Sequence, residues 1–134
     1  AARIVNVSGA SEVFLQGMVT YSNKAKRRCL DVSKSTLKKH GAVSEECAAE
    51  MAKGGRKASK TDICLSVTGI AGPGGGTKEK PVGTVFMGCS YKGCTQVREF
   101  HFQGNRARVR EQTVVHGLAF LRDCMMERAD KQDK

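Results

Sequence analysis

The feature that most constrains the fold is a glycine-rich segment between two strand-like runs. Residues 62–85 read DICLSVTGIAGPGGGTKEKPVGTV, and five of the eight residues from 69 to 76 are glycine. Glycine loses more backbone entropy on folding than any other residue. A loop with this many glycines therefore makes turns that other residues cannot make, or lets its backbone approach a ligand. The apolar run 62–70 is typical of a central strand that is covered on both faces.

Three further segments are predicted to be strands, and one of them, 17–23, has an alternating pattern. The other two, 81–91 and 94–102, are predicted to pair as a hairpin around a KG turn. Because helical segments separate the first strands and a hairpin follows, we expect a mixed sheet between helical layers, an α/β sandwich.

Helical segments are predicted on both sides of these strands. They are the end of a helix at 1–7, short helices within 24–30 and 33–41, a longer helix capped by Ser44 and a terminal helix over roughly 105–128. Ser33 or Ser35 is expected to cap the second short helix, and the pair Gly54–Gly55 is expected to weaken the end of the longer one. The inward face of the longer helix is expected to include Cys47, Met51 and Ala58. The predicted apolar stripe of the terminal helix consists of Val114, Leu118, Leu121 and Met125, flanked by Val109, Phe120 and Cys124.

Composition limits the class of protein. The formal net charge is +10, and the first 60 residues contain 12 basic and 5 acidic side chains. This excess favours anionic partners such as nucleotides, phosphates or RNA, with a solvated basic face as the alternative. Five Phe, two Tyr and no Trp argue against a dedicated single-strand RNA binder.

No apolar run approaches the ~20 residues of a membrane span, so no membrane partner is expected. We expect one domain over 1–128 and a frayed polar tail at 129–134.

The sequence contains six cysteines, and none of them forms a CxxC pair. Cys47, Cys64 and Cys124 lie in apolar or helical patterns, which is typical of buried free thiols. We therefore expect reduced cysteines and an intracellular, cytoplasmic location, with an organelle as the alternative. A meeting of Cys89 and Cys94 across the hairpin is the competing interpretation.

The glycine loop matches neither of the two standard nucleotide-binding motifs. A P-loop requires a Gly-Lys pair, but Lys78 follows Thr77, and a dinucleotide motif requires glycines that open a helix, whereas TKEKPVG leads into a strand. The remaining interpretations are an anion-binding nest or oxyanion hole of backbone N–H groups, or an ordinary long turn. No metal site or Ser-His-Asp arrangement is expected, because the three histidines are scattered at 40, 101 and 116.

A second cluster, VTYSNKAK, combines a tyrosine at the end of the predicted strand with a lysine five residues later. These residues are Tyr21 and Lys26. A lysine acts as a general base only when burial or neighbouring positive charge lowers its pKa from about 10.4. Lys24, Arg27 and Arg28 are the neighbouring cations in the sequence. The alternative is the solvated start of a basic helix.

Together these segments resemble the C-terminal domain of the CinA (competence/damage-inducible) family, the nicotinamide mononucleotide deamidases. The resemblance covers nearly the whole chain. It rests on GASEVFLQGMVTYSNKAK (9–26), HGAVSEE (40–46), VTGIAGPGGGTKEKPVGTV (67–85) and the F-x-G-N-R-x-x-V-R pattern of 102–110. Several long motifs in the same order make it specific, and it implies a three-layer α/β/α sandwich.

The resemblance implies hydrolysis of the carboxamide of nicotinamide mononucleotide to nicotinic acid mononucleotide and ammonia, without a metal or organic cofactor. The implied machinery is a serine nucleophile activated by a lysine and a tyrosine. The catalytic positions carried over to this sequence are Tyr21, Lys26, Ser11 and Thr68. The substrate-binding positions are Gly69, Ala71, Gly72, Gly74, Gly75, Lys80 and Arg106. Arg106 stands at a helix N-terminus, where anions bind well, and is expected to bind the substrate phosphate.

The sequence departs from the family pattern at the nucleophile. That serine lies in an AESCTGG-like segment which, with a helix and a strand, would precede Ala1; Ser11 is expected to support the site. A smaller departure is Asn105 in place of Asp, and both residues cap helices. The chain is thus predicted to be an amidase of a small nucleotide, or a non-catalytic module that binds RNA, a nucleotide or a protein assembly through its basic face. A homo-oligomer is also expected.

Overall fold

A computed structural model of the chain describes residues 1–132. Its elements are α1 (Ala2–Val5), α2 (Ala10–Val13), α3 (Asn23–Leu30), α4 (Lys34–Lys39), α5 (Glu45–Ser59), β1 (Ile63–Gly69), β2 (Thr84–Tyr91), β3 (Cys94–His101) and α6 (Arg106–Gln132). Helix α6 continues through residues 129–132, and the rest of the predicted tail, 133–134, lies outside the described residues. Among the helices described, none is both long and apolar enough to cross a membrane.

The sheet is covered on both faces by helices. Within residues 1–132 its strand order is β1-β2-β3, and both pairings are antiparallel. Neighbouring residues of β2 point to opposite faces: Gly88 packs against Ala48 of α5, and Met87 packs in one cluster with Phe120 of α6. Helices α3, α4 and α5 therefore form one outer layer and α6 forms the other. This arrangement confirms the α/β class and the three layers.

The sheet differs from the prediction in two respects. The described strands are all antiparallel, so the expected mixture of parallel and antiparallel pairs is not present over residues 1–132. Among the strands of residues 1–132 the central one is β2, every residue of which is buried. The predicted central strand β1 pairs within these residues only with β2, and its Val67 is exposed. The hydrophobic pattern could not show which of the two strands is central, because both are largely apolar.

The strand predicted at 17–23 is absent from the described structure. Residues 14–21 have no regular secondary structure, and α3 begins at Asn23. The side chains still alternate, with Thr20 buried and Val19 and Tyr21 exposed. A strand requires a hydrogen-bonded neighbour, and this segment has none among residues 1–132. The alternation therefore indicates an extended conformation without a sheet.

Serine caps define the starts of three helices. Ser44 caps α5, as predicted, Ser33 is the one of the two candidates that caps α4, and Ser22 caps α3. Each hydroxyl accepts a hydrogen bond from the N–H three residues later. Glu50 joins α5 to α4, because its carboxylate accepts hydrogen bonds from the Ser33 N–H at 2.7 Å and from the Thr36 hydroxyl at 2.6 Å. The first helical layer is thus held by polar contacts as well as by apolar packing.

The buried face of α5 is wider than predicted. Cys47 and Met51 are buried, as expected, but Ala58 is exposed. The buried positions also include Gly55, where a Cβ atom would lie 2.7 Å from the Cys64 sulfur. The glycine pair 54–55 was expected to weaken the end of this helix. It is instead where α5 approaches its neighbours closely, and the helix continues to Ser59.

The buried face of α6 is not the predicted stripe. Val114 is 42% exposed and Met125 is 53% exposed. The buried positions are the three residues predicted to flank the stripe, Val109, Phe120 and Cys124, together with Gly117, and Leu121 of the stripe packs half-buried against them. Gly117 lies on this face because Leu65 and Met87 pack over it. Since glycine carries no apolar side chain, the hydrophobic pattern favoured the adjacent face.

The six cysteines are free thiols with very different exposure. Cys29 is exposed, Cys64 and Cys94 are half-buried, and Cys47, Cys89 and Cys124 are buried. Cys89 and Cys94 do not meet across the hairpin, because the register pairs Cys89 with Gln96 and Cys94 with Tyr91. Burial raises the pKa of the Cys89 and Cys124 thiols, which lowers the fraction of reactive thiolate.

Thiol labelling tests this distribution. In the native protein we expect rapid reaction of Cys29 with a disulfide reagent, slower reaction of Cys64 and Cys94, and reaction of Cys47, Cys89 and Cys124 only after unfolding, because their sulfur atoms are inaccessible. Thiol release followed over time, with and without guanidinium, measures the three classes. The Cys29→Ser variant should lose the fast phase. A fast phase that persists in this variant would contradict the assignment.

Candidate functional site

The glycine loop, residues 70–83, connects β1 to β2. Gly72 and Gly75 have φ angles of +82° and +87°, in the left-handed region that disfavours other residues. A Cβ atom on Gly72 would lie 2.6 Å from the Val82 side chain, and one on Gly76 would lie 2.7 Å from the Val82 backbone nitrogen. These glycines are therefore required by the turn itself, which supports the interpretation of an ordinary turn for this part of the loop.

Gly74 is the exception in this loop. It is exposed, has no positive φ angle, and a Cβ atom placed on it would meet no atom within 4 Å. The fold therefore does not require glycine at this position. Glycine is required where a ligand must approach the backbone closely. Gly74 is therefore the loop position whose lack of a side chain is best explained by contact with a ligand.

Hydrogen bonds hold the loop against distant parts of the chain. The Thr68 hydroxyl donates to the Ala42 carbonyl at 2.7 Å, and the Lys80 ammonium donates to the His40 carbonyl at 2.7 Å. The structure thus joins the HGAVSEE segment to both ends of the loop. Thr68 is buried, and its hydroxyl proton is committed to this structural bond.

Arg106, the first residue of α6, also contacts the loop. Its guanidinium donates to the Gly72 carbonyl at 3.0 Å. The Asn105 side chain accepts a hydrogen bond from the Arg108 N–H at 3.0 Å, as an N-cap does. The structure therefore places six of the predicted site residues at or beside the glycine loop. They are Thr68, Gly69, Ala71, Gly72, Lys80 and Arg106.

An open groove of about 550 Å³ lies beside this cluster, in the size range of small-molecule sites. Its floor is the end of β1 and the loop, including Val67, Gly69 and Ala71, and one wall is the start of α6. Arg3 of α1 and Arg110 of α6 add two cations. Sequence reasoning did not select Arg3, and it had no signal for doing so, because α1 reaches the groove only through the tertiary fold.

Lys26 lies on the inner side of α3. It is only 8% exposed, and its ammonium donates to the Thr20 carbonyl at 2.8 Å. Its neighbour across the helix layer is Cys47, in the first turn of α5: burial raises the pKa of the Cys47 thiol, and the charge of Lys26 opposes that rise. The solvated basic helix start describes Lys24, Arg27 and Arg28, which are exposed, but it does not describe Lys26. Lys26 is not, however, among the residues that line the groove.

The other two predicted catalytic residues are on the surface. Tyr21 is 85% exposed, and Ser11 is exposed on the short helix α2. Neither side chain hydrogen-bonds to Lys26, whose bond within residues 1–132 is to Thr20. Within residues 1–132, Ser11, Tyr21 and Lys26 are therefore not joined by hydrogen bonds between their side chains. Over the same residues, no group of three or more His, Cys, Asp or Glu side chains has a metal-binding arrangement.

Comparison with known proteins gives a consistent result. A family model described as the CinA C-terminal domain matches residues 1–125. The CinA-like protein of Citrifermentans bemidjiense is 52% identical over 128 residues, a match that covers 96% of this chain and 31% of that protein. The chain spans about a third of the length of the curated relatives it matches.

Solved structures agree with this match. The crystal structure of the competence/damage inducible protein CihA from Agrobacterium tumefaciens superposes with a TM-score of 0.87 at 39% identity, over 90% of this chain and 74% of that chain. The competence damage-inducible protein A (ComA) from Klebsiella pneumoniae superposes with a TM-score of 0.89 at 34% identity, over 93% of this chain and 78% of that chain.

Proposed function

This chain belongs to the CinA C-terminal domain family, and from that premise we propose that it forms the substrate-binding part of an amidohydrolase that converts nicotinamide mononucleotide to nicotinic acid mononucleotide and ammonia. The observation that carries the proposal is the bond between Arg106 and the Gly72 carbonyl. It joins two family motifs, far apart in the sequence, at the edge of a groove of nucleotide size.

The phosphate of the substrate would bind at the cationic side of this groove. Arg106 has five N–H donors in a planar fork that suits phosphate oxygens, and only its bond to Gly72 occupies it here. Arg106 stands next to the lining residue Ala107, and the groove itself is lined by Arg3 and Arg110 together with one carboxylate, Glu111. The exposed backbone at Gly74 would approach the ligand from the loop side.

The chemistry in this proposal is nucleophilic. A serine oxygen attacks the carboxamide carbon, ammonia leaves with the proton that Lys26 received from the serine, and water then hydrolyses the acyl-enzyme to the acid. By resemblance the serine comes from the AESCTGG-like segment, and Tyr21 relays the proton. Backbone N–H groups of the glycine loop would stabilise the oxyanion. No metal or organic cofactor takes part in the proposed reaction.

The test is ammonia release from nicotinamide mononucleotide. We would compare this chain with a fusion that places the preceding region of the Citrifermentans bemidjiense CinA-like protein before Ala1. Turnover by the fusion but not by this chain supports the proposal that the nucleophilic serine comes from the preceding region. Turnover by this chain alone would support the amidase and direct the search for the nucleophile to Ser11. Absence of turnover in both proteins would refute the amidase.

The Gly74→Val variant of the active protein tests the role of the loop. Because nothing in the fold lies near that position, we expect an unchanged free energy of unfolding but a KM raised about tenfold or more, through loss of close approach to the ligand. Gly72→Val is the matched comparison, and it should lose stability because of Val82. A normal KM in Gly74→Val would remove this loop position from the substrate site.

The second candidate function is the non-catalytic module. It is favoured because Tyr21 and Ser11 are exposed and neither of them hydrogen-bonds to Lys26. It predicts that nicotinamide mononucleotide is bound without turnover. Equilibrium dialysis of the substrate against the fusion, together with the ammonia assay, separates the two functions.

A further inference from the structure

A second groove lies between α3 and α4, apart from the site above. Its volume is about 510 Å³, and its lining residues are Asn23, Lys24, Arg27, Lys34, Leu37 and Lys38. Two basic runs of the sequence, KAKRR (24–28) and KSTLKK (34–39), supply the cations of this lining. The fold therefore brings two separate clusters of positive charge to one place. No carboxylate is among these lining residues in the described part of the chain.

The four cations of this groove are not neutralised within residues 1–132. None of the ion pairs formed there includes Lys24, Arg27, Lys34 or Lys38. The acidic residue that contacts α4, Glu50, is occupied by the Ser33 N–H and the Thr36 hydroxyl. The groove is therefore a concentrated positive surface that faces solvent.

The cations of this groove come in two pairs, one on each helix. Lys24 and Arg27 are three residues apart on α3, and Lys34 and Lys38 are four apart on α4. At 1.5 Å of rise per residue, these pairs lie about 4.5 and 6 Å apart along their helix axes. Each strand of a nucleic acid duplex carries one phosphate per about 3.4 Å of axis. The cations are therefore less closely spaced than the phosphates, and each pair can contact phosphates of one strand without meeting every phosphate.

We propose that the α3–α4 groove binds the sugar-phosphate backbone of a nucleic acid duplex without reading its sequence. The lining has no aromatic side chain, so unstacked bases of a single strand would find no stacking platform. A duplex, which keeps its bases stacked inside and its phosphates outside, fits this lining better. The site is separate from the proposed amidase chemistry, because Lys26 faces the interior of the same helix layer.

The experiment is fluorescence anisotropy with a short labelled duplex, titrated at salt concentrations from about 50 to 200 mM. Four phosphate contacts predict a slope of log K against log salt of about −3.6. Replacing Lys24, Arg27, Lys34 and Lys38 together by Gln should weaken binding at least tenfold at low salt and bring the slope close to zero, since each lost contact removes about 1.

The matched control removes the same charge elsewhere. Lys53, Lys57, Lys60 and Lys92 are exposed and lie outside the groove, and their replacement by Gln should change affinity far less. An equal loss in both variants, with circular dichroism showing both folded, would overturn the groove assignment. So would equally tight binding of polyglutamate or of a single strand. Titrations with a DNA duplex and with an RNA duplex show which of the two nucleic acids the groove binds.

Discussion

For the proposed amidase, replacing Lys26 by methionine in the fusion is expected to lower kcat for nicotinamide mononucleotide by about 10²- to 10⁴-fold, the usual contribution of a general base. The reason is positional. Lys26 is buried and held by the Thr20 carbonyl, so its ammonium has one fixed place in the fold, and no other lysine of α3 is buried. KM should change much less, because the ligand groove does not include Lys26. Initial rates of ammonia release at several substrate concentrations measure both constants.

The control for this variant is Lys53→Met, which makes the same chemical change at an exposed position on α5. It should retain the activity of the parent protein. Loss of the hydrogen bond to Thr20 is expected to cost about 1–3 kcal/mol of the free energy of unfolding, so circular dichroism must show that Lys26→Met is folded at the assay temperature. A folded Lys26→Met variant with parental kcat would show that this lysine only supports the structure.

Features of the fold that depend on local chemistry could be predicted from the sequence. The caps at Ser33 and Ser44 and the 81–102 hairpin are examples, because a serine hydroxyl three residues before an N–H group, or a KG turn between apolar runs, acts within a few residues. The helical segments following those caps were predicted for the same reason.

Features that depend on distant neighbours could not be predicted. Residues 17–23 alternate like a strand, but whether they form one depends on a neighbouring strand that no local pattern specifies. The face of α6 was misassigned because Gly117 is buried beneath Leu65 and Met87 but carries no apolar side chain that would mark this face in the sequence. Buried glycines define contacts between elements here as much as apolar side chains do.

The same distinction applies to the site. The motif residues Thr68, Lys80 and Arg106 were selected from the sequence, but their partners are backbone carbonyls of Ala42, His40 and Gly72. A backbone carbonyl is present at every residue, so no sequence pattern reveals which one is used. The contribution of Arg3 to the groove was missed for a similar reason, since only the tertiary fold brings α1 beside α6.

Gly54→Ala is expected to destabilise the protein by about 3 kcal/mol, the upper range for overpacking a close contact. At an ordinary position inside a helix this substitution stabilises by about 0.5–1 kcal/mol. Here the added Cβ atom would lie 1.6 Å from the carbonyl oxygen of Leu30. Because that neighbour is backbone, no side-chain rotation relieves the overlap, and α3 and α5 must move apart. The cluster of Leu30, Val32, Cys47 and Met51 would then lose packing.

Gly117→Ala is the matched control, because it makes the same change inside α6, where the added Cβ atom would lie 3.5 Å from the Leu65 side chain, an ordinary contact. It should keep or raise the free energy of unfolding, measured by urea denaturation and circular dichroism. Since α3 carries Lys26, separation of α3 from α5 should also reduce kcat of the proposed amidase in Gly54→Ala, while Gly117→Ala retains it. Equal stability of the two variants would show that the α3–α5 contact tolerates a methyl group, and would remove Gly54 as a determinant of where Lys26 lies.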